Sequence, residues 1–69
     1  MPRKTHHGRF SVGDDPRSFE SDGPAISLAI TKALAAVTDV TFYVRELGAQ
    51  GACCRVERIG QTVVTRRLR

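Results

Sequence analysis

The sequence has little of what small proteins use to reinforce a fold. It contains no tryptophan, one tyrosine, three phenylalanines and two cysteines, and the cysteines are the adjacent residues Cys53 and Cys54. Adjacent cysteines supply no disulfide framework that could cross-link distant parts of the chain. No apolar run has the length of a membrane span, and the N-terminus lacks the apolar region of a secretory signal. We therefore expect a cytoplasmic protein in a reducing compartment.

The motifs that accompany catalysis and metal binding are also missing. There is no glycine-rich phosphate loop, no GxSxG and no HExxH. Neighbouring residues of a strand point to opposite faces, so Cys53 and Cys54 do not resemble a CxxC site. Adding His6 and His7 leaves two adjacent pairs without the usual spacing of zinc ligands. We predict structural thiols, no metal, no cofactor and no enzymatic activity.

The length and net charge of the chain limit the number of domains and the kinds of partner that we expect. A chain of 69 residues forms one domain, which buries only about 60% of its unfolded surface. Because no cross-link compensates for this small core, we expect a homo-oligomer. Eleven Lys and Arg against seven Asp and Glu give a net charge of +4, which favours nucleic acid or an acidic protein surface as partner. Residues 1–8 are polar and basic and predict a flexible arm before a domain at 9–69.

The clearest element is an amphipathic helix predicted over residues 22–39. The Asp22 carboxylate can accept hydrogen bonds from the first turn, and Pro24 is tolerated there because its missing N–H has no intrahelical partner. Short polar residues and a β-branched run predict the end near Thr38 and Asp39. At 100° per residue the apolar face comprises Ile26, Ala29, Ile30, Ala33, Leu34 and Val37.

Strands are predicted at residues 40–46, 52–59 and 62–66, with a short strand at 9–12. Turn signals separate them at 13–16, 48–51 and 60–61. These elements predict an α+β fold in which the helix packs on a three-stranded antiparallel sheet, with room for the additional N-terminal strand. Three predicted sets of residues face the helix: Phe10 and Val12; Val40, Phe42 and Val44; and Ala52, Cys54 and Val56.

The register of the last strand stays open, because the apolar neighbours Val63 and Val64 point to opposite faces. The predicted sheet face away from the helix carries Tyr43 among arginines, with Cys53, Arg55 and Glu57 in the middle strand. An aromatic ring among arginines on a sheet can stack a base and hold phosphates. The candidate nucleic-acid or anion-binding residues are Tyr43, Arg45, Arg55, one or both of Arg66 and Arg67, and Arg69. The alternative is a solvated face, partly neutralised by Glu46 and Glu57.

Residues 12–20, with the sequence VGDDPRSFE, and the helical spacing AIxxAIxxAL after them resemble the start of a dodecin. The resemblance implies a hollow homododecamer that binds flavin between aromatic residues of neighbouring subunits. Phe42 stands in for the tryptophan that stacks on flavin in that family, and Asp22-Gly23-Pro24 and the last strand depart from the family pattern. A flavin-storing oligomer is therefore the alternative function. A third is a small regulator or inhibitor that docks on one specific protein.

Overall fold

The computed structural model describes residues 8–68, which form one helix packed on one antiparallel five-stranded sheet. This arrangement confirms the α+β class. The elements are β1 (Phe10–Val12), β2 (Ser18–Phe19), α1 (Asp22–Ala35), β3 (Val40–Glu46), β4 (Ala52–Ile59) and β5 (Thr62–Arg67). The sheet order is β2-β1-β3-β4-β5, so the sheet is larger than the three strands predicted because both β1 and β2 join it. The predicted arm falls outside the described residues except for Gly8.

Helix α1 contacts the sheet through a line of alanines. Ala25, Ala29 and Ala33 lie four residues apart and are fully buried. Small side chains let the helix backbone approach the β-branched residues of the sheet closely, which gives dense packing. The larger helix side chains Ile26, Leu28 and Ile30 lie on the flanks of this line, half-buried against the core. The fully buried side chains opposite belong to Val12, Val44, Cys54 and Val56.

The predicted helix face is therefore only partly right. Ala29 and Ala33 are central, but Leu34 is 63% exposed and Val37 is 93% exposed. Leu28, which is not among the residues of the predicted face, packs against the core. The periodicity locates a wide apolar arc, whereas close contact with the sheet selects the part of that arc where the side chains are smallest.

Tertiary contacts end the helix earlier than the predicted limit near Thr38. Ala36 has extended backbone angles, φ −72° and ψ 152°, and its carbonyl oxygen accepts from the Arg58 guanidinium. Arg58 Nε also donates to the Gly60 carbonyl oxygen over 2.8 Å, and Asp39 Oδ1 accepts from the Gly60 N–H over 2.9 Å. Residues after the helix are therefore used to hold the β4–β5 turn instead of extending α1.

The helix starts at residue 22 as predicted, but its first turn is capped differently. Asp22 is the first helical residue, and Ser21 occupies the N-cap position without a side-chain hydrogen bond to the first turn. The Asp22 carboxylate instead lies 3.5 Å from Arg67, measured from Oδ2 to Nη2. An acidic group in the first turn still complements the positive end of the helix dipole.

A β-bulge changes the predicted pattern at the cysteines. Val44 pairs with Cys54, but Arg45 pairs with Ala52, so Cys53 is an extra residue in β4. The bulge interrupts alternation, and both cysteines are buried as free thiols, Cys53 at 5% exposure and Cys54 at 1%. The prediction that they lie on opposite faces, with Ala52 beside Cys54, is therefore wrong.

The turn predicted at residues 13–16 connects β1 to β2. Asp15 Oδ1 accepts from the Arg17 backbone N–H and from Arg17 Nε, each over 2.9 Å, and Asp15 Oδ2 accepts from Arg17 Nη2 over 2.8 Å. Lys32 Nζ lies 3.4 Å from the same Oδ2 and ties the turn to the helix. The side-chain hydrogen bonds from Arg17 hold the pKa of the Asp15 carboxyl well below its usual range.

We expect the contribution of Asp15 to depend on pH. Because its pKa is lower in the folded than in the unfolded chain, it stabilises the fold above about pH 4 and less as the pH falls towards 2. The melting-temperature difference between the natural chain and Asp15→Asn should therefore shrink over that interval. Asp14→Asn, at the exposed neighbouring position, is the control. A difference for Asp15→Asn that is the same at both pH values would contradict a charged role.

Candidate functional site

Three of the predicted site residues form a row across three strands on the open face of the sheet, away from α1. In the strand register Tyr43 pairs with Arg55, and Arg55 pairs with Arg66. Directly paired residues of antiparallel strands have Cβ atoms about 5 Å apart. Arg45 lies two residues beyond Tyr43 on the same face of β3. We call these four residues the open-face cluster.

The open-face cluster is accessible and carries excess positive charge. Tyr43 is 40% exposed, Arg45 and Arg66 are exposed, and Arg55 is half-buried between its neighbours. The Arg55 Nε atom is buried without a hydrogen-bond partner and lies 3.7 Å from Glu57 Oε1. One carboxylate thus stands among three guanidinium groups. The cluster can accept further anionic ligands.

The expected neutralisation by Glu46 is wrong. Glu46 pairs with Phe10 of β1, and residues 40, 42, 44 and 46 of β3 share the face that packs on α1. Glu57 alone of the two predicted acids lies on the open face.

The structure separates the remaining predicted residues from this cluster. Arg67 pairs with Cys54 on the helix side, where its guanidinium meets Asp22. The open register is thereby resolved, since Arg66 joins the open face and Arg67 does not. Val63 correspondingly packs towards the core and Val64 is exposed on the other face. Arg69 lies outside the described residues.

Sequence reasoning missed an arginine at the border of the cluster. Arg9 Nε donates to Ser18 Oγ over 2.8 Å, and its Nη2 donates to the Ser18 carbonyl oxygen over 2.9 Å. Ser18 pairs with Ser11, which in turn pairs with Arg45, so Arg9 reaches the same face beyond Arg45. The signal was the predicted strand at 9–12, because Phe10 and Val12 facing the helix place Arg9 on the opposite face.

A second feature lies on the helix side of the sheet, next to the turn at 13–16. An open cavity of about 480 Å³ is bordered by this turn, Lys32 and Phe42. Lys32 Nζ lies 6.0 Å from the centroid of the Phe42 ring, and a Cβ at Gly13 would lie 3.8 Å from that ring. Phe42 is half-buried, and its neighbours Thr41 and Tyr43 in β3 also border the cavity, so the cavity adjoins the open-face cluster at Tyr43.

Two further findings apply to residues 8–68. No helix in this part of the chain is both long and apolar enough to cross a membrane. These residues also contain no group of three or more His, Cys, Asp or Glu side chains placed to hold a metal ion. The zinc alternative that included His6 and His7 falls outside the described residues.

Comparison with known proteins finds no matching family model, no matching curated protein and no matching solved structure. The dodecin resemblance stays a prediction from residues 12–20 and the helical spacing after them. The open-face cluster is the arrangement from which a function can be proposed.

Proposed function

We propose that the protein is a small non-catalytic binding module whose open-face cluster holds single-stranded nucleic acid. The observation that carries this proposal is the cross-strand row of Tyr43, Arg55 and Arg66, with Arg45 beside it. Tyr43 offers a ring on which a base stacks, and the guanidinium groups donate paired hydrogen bonds to phosphate oxygens. The net charge of +4 strengthens the association with any polyanion.

The shape of the surface favours a single strand over a duplex. Neighbouring strands lie about 4.8 Å apart, so the row from Tyr43 to Arg66 spans about 10 Å across the sheet. The major groove of a duplex admits a helix or a two-stranded ribbon, and a broad sheet face does not enter it. A single strand can instead lie on the sheet with its bases splayed towards Tyr43.

An acidic protein surface is the competing partner for the same cluster. Carboxylates on such a surface would bind Arg45, Arg55 and Arg66 but would gain little from an exposed tyrosine ring. The contribution of Tyr43 therefore distinguishes the two partners. A regulator or inhibitor that docks on one specific protein would use the cluster in this second way.

Flavin storage is the second candidate function, and one observation favours it. The cavity beside Phe42 is open and is bordered by this ring, by Lys32, whose Nζ lies over the ring, and by Asp14 and Asp15. A flat aromatic cofactor could contact the Phe42 ring there. A purified protein that is yellow and of very large apparent mass would favour this function over nucleic-acid binding.

Fluorescence anisotropy with a labelled single-stranded oligonucleotide over a salt series tests the proposed function. Each phosphate neutralised contributes about −0.7 to the slope of log affinity against log salt, so three arginines predict a slope of about −2. Tyr43→Ala should weaken binding by about 1–3 kcal/mol through loss of stacking and leave the slope unchanged.

Thr41→Ala is the matched control, because Thr41 is exposed on the same face of the same strand. It should leave the affinity within about twofold, the equivalent of less than 0.5 kcal/mol. No binding at low salt would overturn the proposal. Binding to polyglutamate that equals binding to the oligonucleotide and ignores Tyr43→Ala would assign the cluster to an acidic protein.

A further inference from the structure

The two edges of the sheet differ in how well they are protected. The β2 edge is two residues long, and the hydrogen bonds from Arg9 cover Ser18 there. The β5 edge is six residues long, and its first four residues, Thr62–Thr65, are uncharged and β-branched. Its register against β4 contains no bulge. Monomeric proteins usually shorten, charge or bulge an exposed edge strand, because it is a template for pairing with another chain.

The backbone of β5 presents alternate residues outward. The Leu68 N–H donates to the Cys53 carbonyl oxygen over 2.9 Å and therefore points towards β4. Because hydrogen-bonding direction alternates along an antiparallel strand, Val64 and Arg66 also bond to β4. The N–H and C=O groups of Val63, Thr65 and Arg67 point away from the sheet, where the described chain places no further strand.

The helix lies with one apolar flank towards this edge. Asp22 at the helix start meets Arg67, and Ala36 just after the helix meets Arg58, whose partner in β5 is Val63. Helix α1 therefore runs antiparallel to β5. Lys32, which reaches Asp15, lies on the opposite flank.

The flank towards β5 is apolar along its whole length. It consists of Ile26 and Ile30, which are half-buried, and Leu34, which is exposed. These side chains follow a 3.6-residue period on one side of the alanine line. An unprotected strand edge and an exposed apolar helix flank thus lie side by side.

We propose that this combined surface binds a second copy of the chain, so that two β5 strands pair antiparallel across a two-fold axis and form a continuous ten-stranded sheet. A two-fold axis perpendicular to the sheet keeps both helices on one side and pairs residues of the same face. With Val64 on the axis, Val63 pairs with Thr65 of the second copy. The outward N–H and C=O groups of both residues then bond across the interface.

Charge fits this arrangement. In that register no arginine faces an arginine, since Arg66 of the second copy pairs with Thr62. Arg67 of the second copy reaches the turn at Gly60, whose N–H binds the Asp39 carboxylate.

Concentration-dependent hydrogen exchange on the natural chain tests the interface directly. The amides of Val64 and Arg66 should be protected at every concentration because they bond to β4. The amides of Val63, Thr65 and Arg67 should gain protection as the chain dimerises. A chain that keeps the 7.6 kDa monomer mass at about 1 mM, or outward amides that stay unprotected in a dimer, would overturn the proposal.

Two variants each disrupt a different part of the proposed interface. Leu34→Glu places a charge in the apolar flank, and Thr65→Pro removes an N–H that points outward and makes no bond within the sheet. Each should shift the mass measured by light scattering from dimer to monomer. Thr31→Glu, exposed on the far side of α1, is the matched control and should stay dimeric.

Circular dichroism reports whether each variant is folded, and either folded variant suffices for the test. A folded Leu34→Glu or Thr65→Pro chain that remains dimeric would overturn the proposed interface. Salt separates this proposal from the proposed function. Added salt screens the repulsion between two chains of charge +4 and strengthens the dimer, whereas it weakens binding to an oligonucleotide.

Discussion

Replacing Ala29 with leucine is expected to destabilise the protein by about 1–3 kcal/mol. Ala29 is the middle residue of the buried alanine line and is fully buried. A leucine there forces the helix away from Val44 and Val56, so the neighbouring contacts of the layer also loosen. For a chain whose total stability is of the order of 5 kcal/mol, such a loss leaves a substantial unfolded fraction.

Urea unfolding followed by circular dichroism measures this effect. Ala35→Leu is the matched control, because it makes the same substitution in the last residue of α1, where the side chain is exposed. The control should change the unfolding free energy by less than about 0.5 kcal/mol. Equal effects at the two positions would mean that α1 does not pack through its alanines.

Arg55→Glu is expected to reduce affinity for a single-stranded oligonucleotide by about 10- to 100-fold. Arg55 lies between Tyr43 and Arg66 in the cross-strand row, so the change removes a charged hydrogen bond of about 1.5–3 kcal/mol at the centre of the cluster. The salt slope should flatten by at least about 0.7. Anisotropy over a salt series measures both quantities.

Arg67→Glu is the matched control for Arg55→Glu, because it makes the same charge change on the other face of the sheet. Arg67 meets Asp22 there, so its reversal should lower stability slightly and reduce affinity much less than Arg55→Glu. Equal losses of affinity for the two variants would show that binding depends on net charge. The open-face cluster would then not be the binding site.

Alternation along β3 was sufficient to predict half of the candidate site. Val40, Phe42 and Val44 recur every second residue, and this pattern alone sends Tyr43 and Arg45 to the open face. The sequence alone could not show which of Arg66 and Arg67 lies on the open face, because Val63 and Val64 are both apolar and either could face the core. Pairing with β4 decided it, since a shift of one residue exchanges the two faces.

The cysteine pair shows where alternation fails. Nothing local to Ala52, Cys53 and Cys54 distinguishes a regular strand from a bulged one, so the sequence predicted opposite faces for the thiols. The bulge is the shift in register between β3 and β4 after Val44. It depends on how these two consecutive strands pair, which the residues of β4 alone do not show.

The sequence by itself determined the helix, three long strands, the turns between them and the α+β class, because these follow from local periodicity and backbone preference. The tertiary structure decided which part of the apolar arc packs, where the helix ends and how the last strand is registered. Ala29 and Ala33 of the predicted face are buried against the sheet whereas Leu34 is exposed, and Arg58 of β4 binds the Ala36 carbonyl oxygen just after α1 ends. Such choices depend on contacts between residues distant in the chain, which no local pattern encodes.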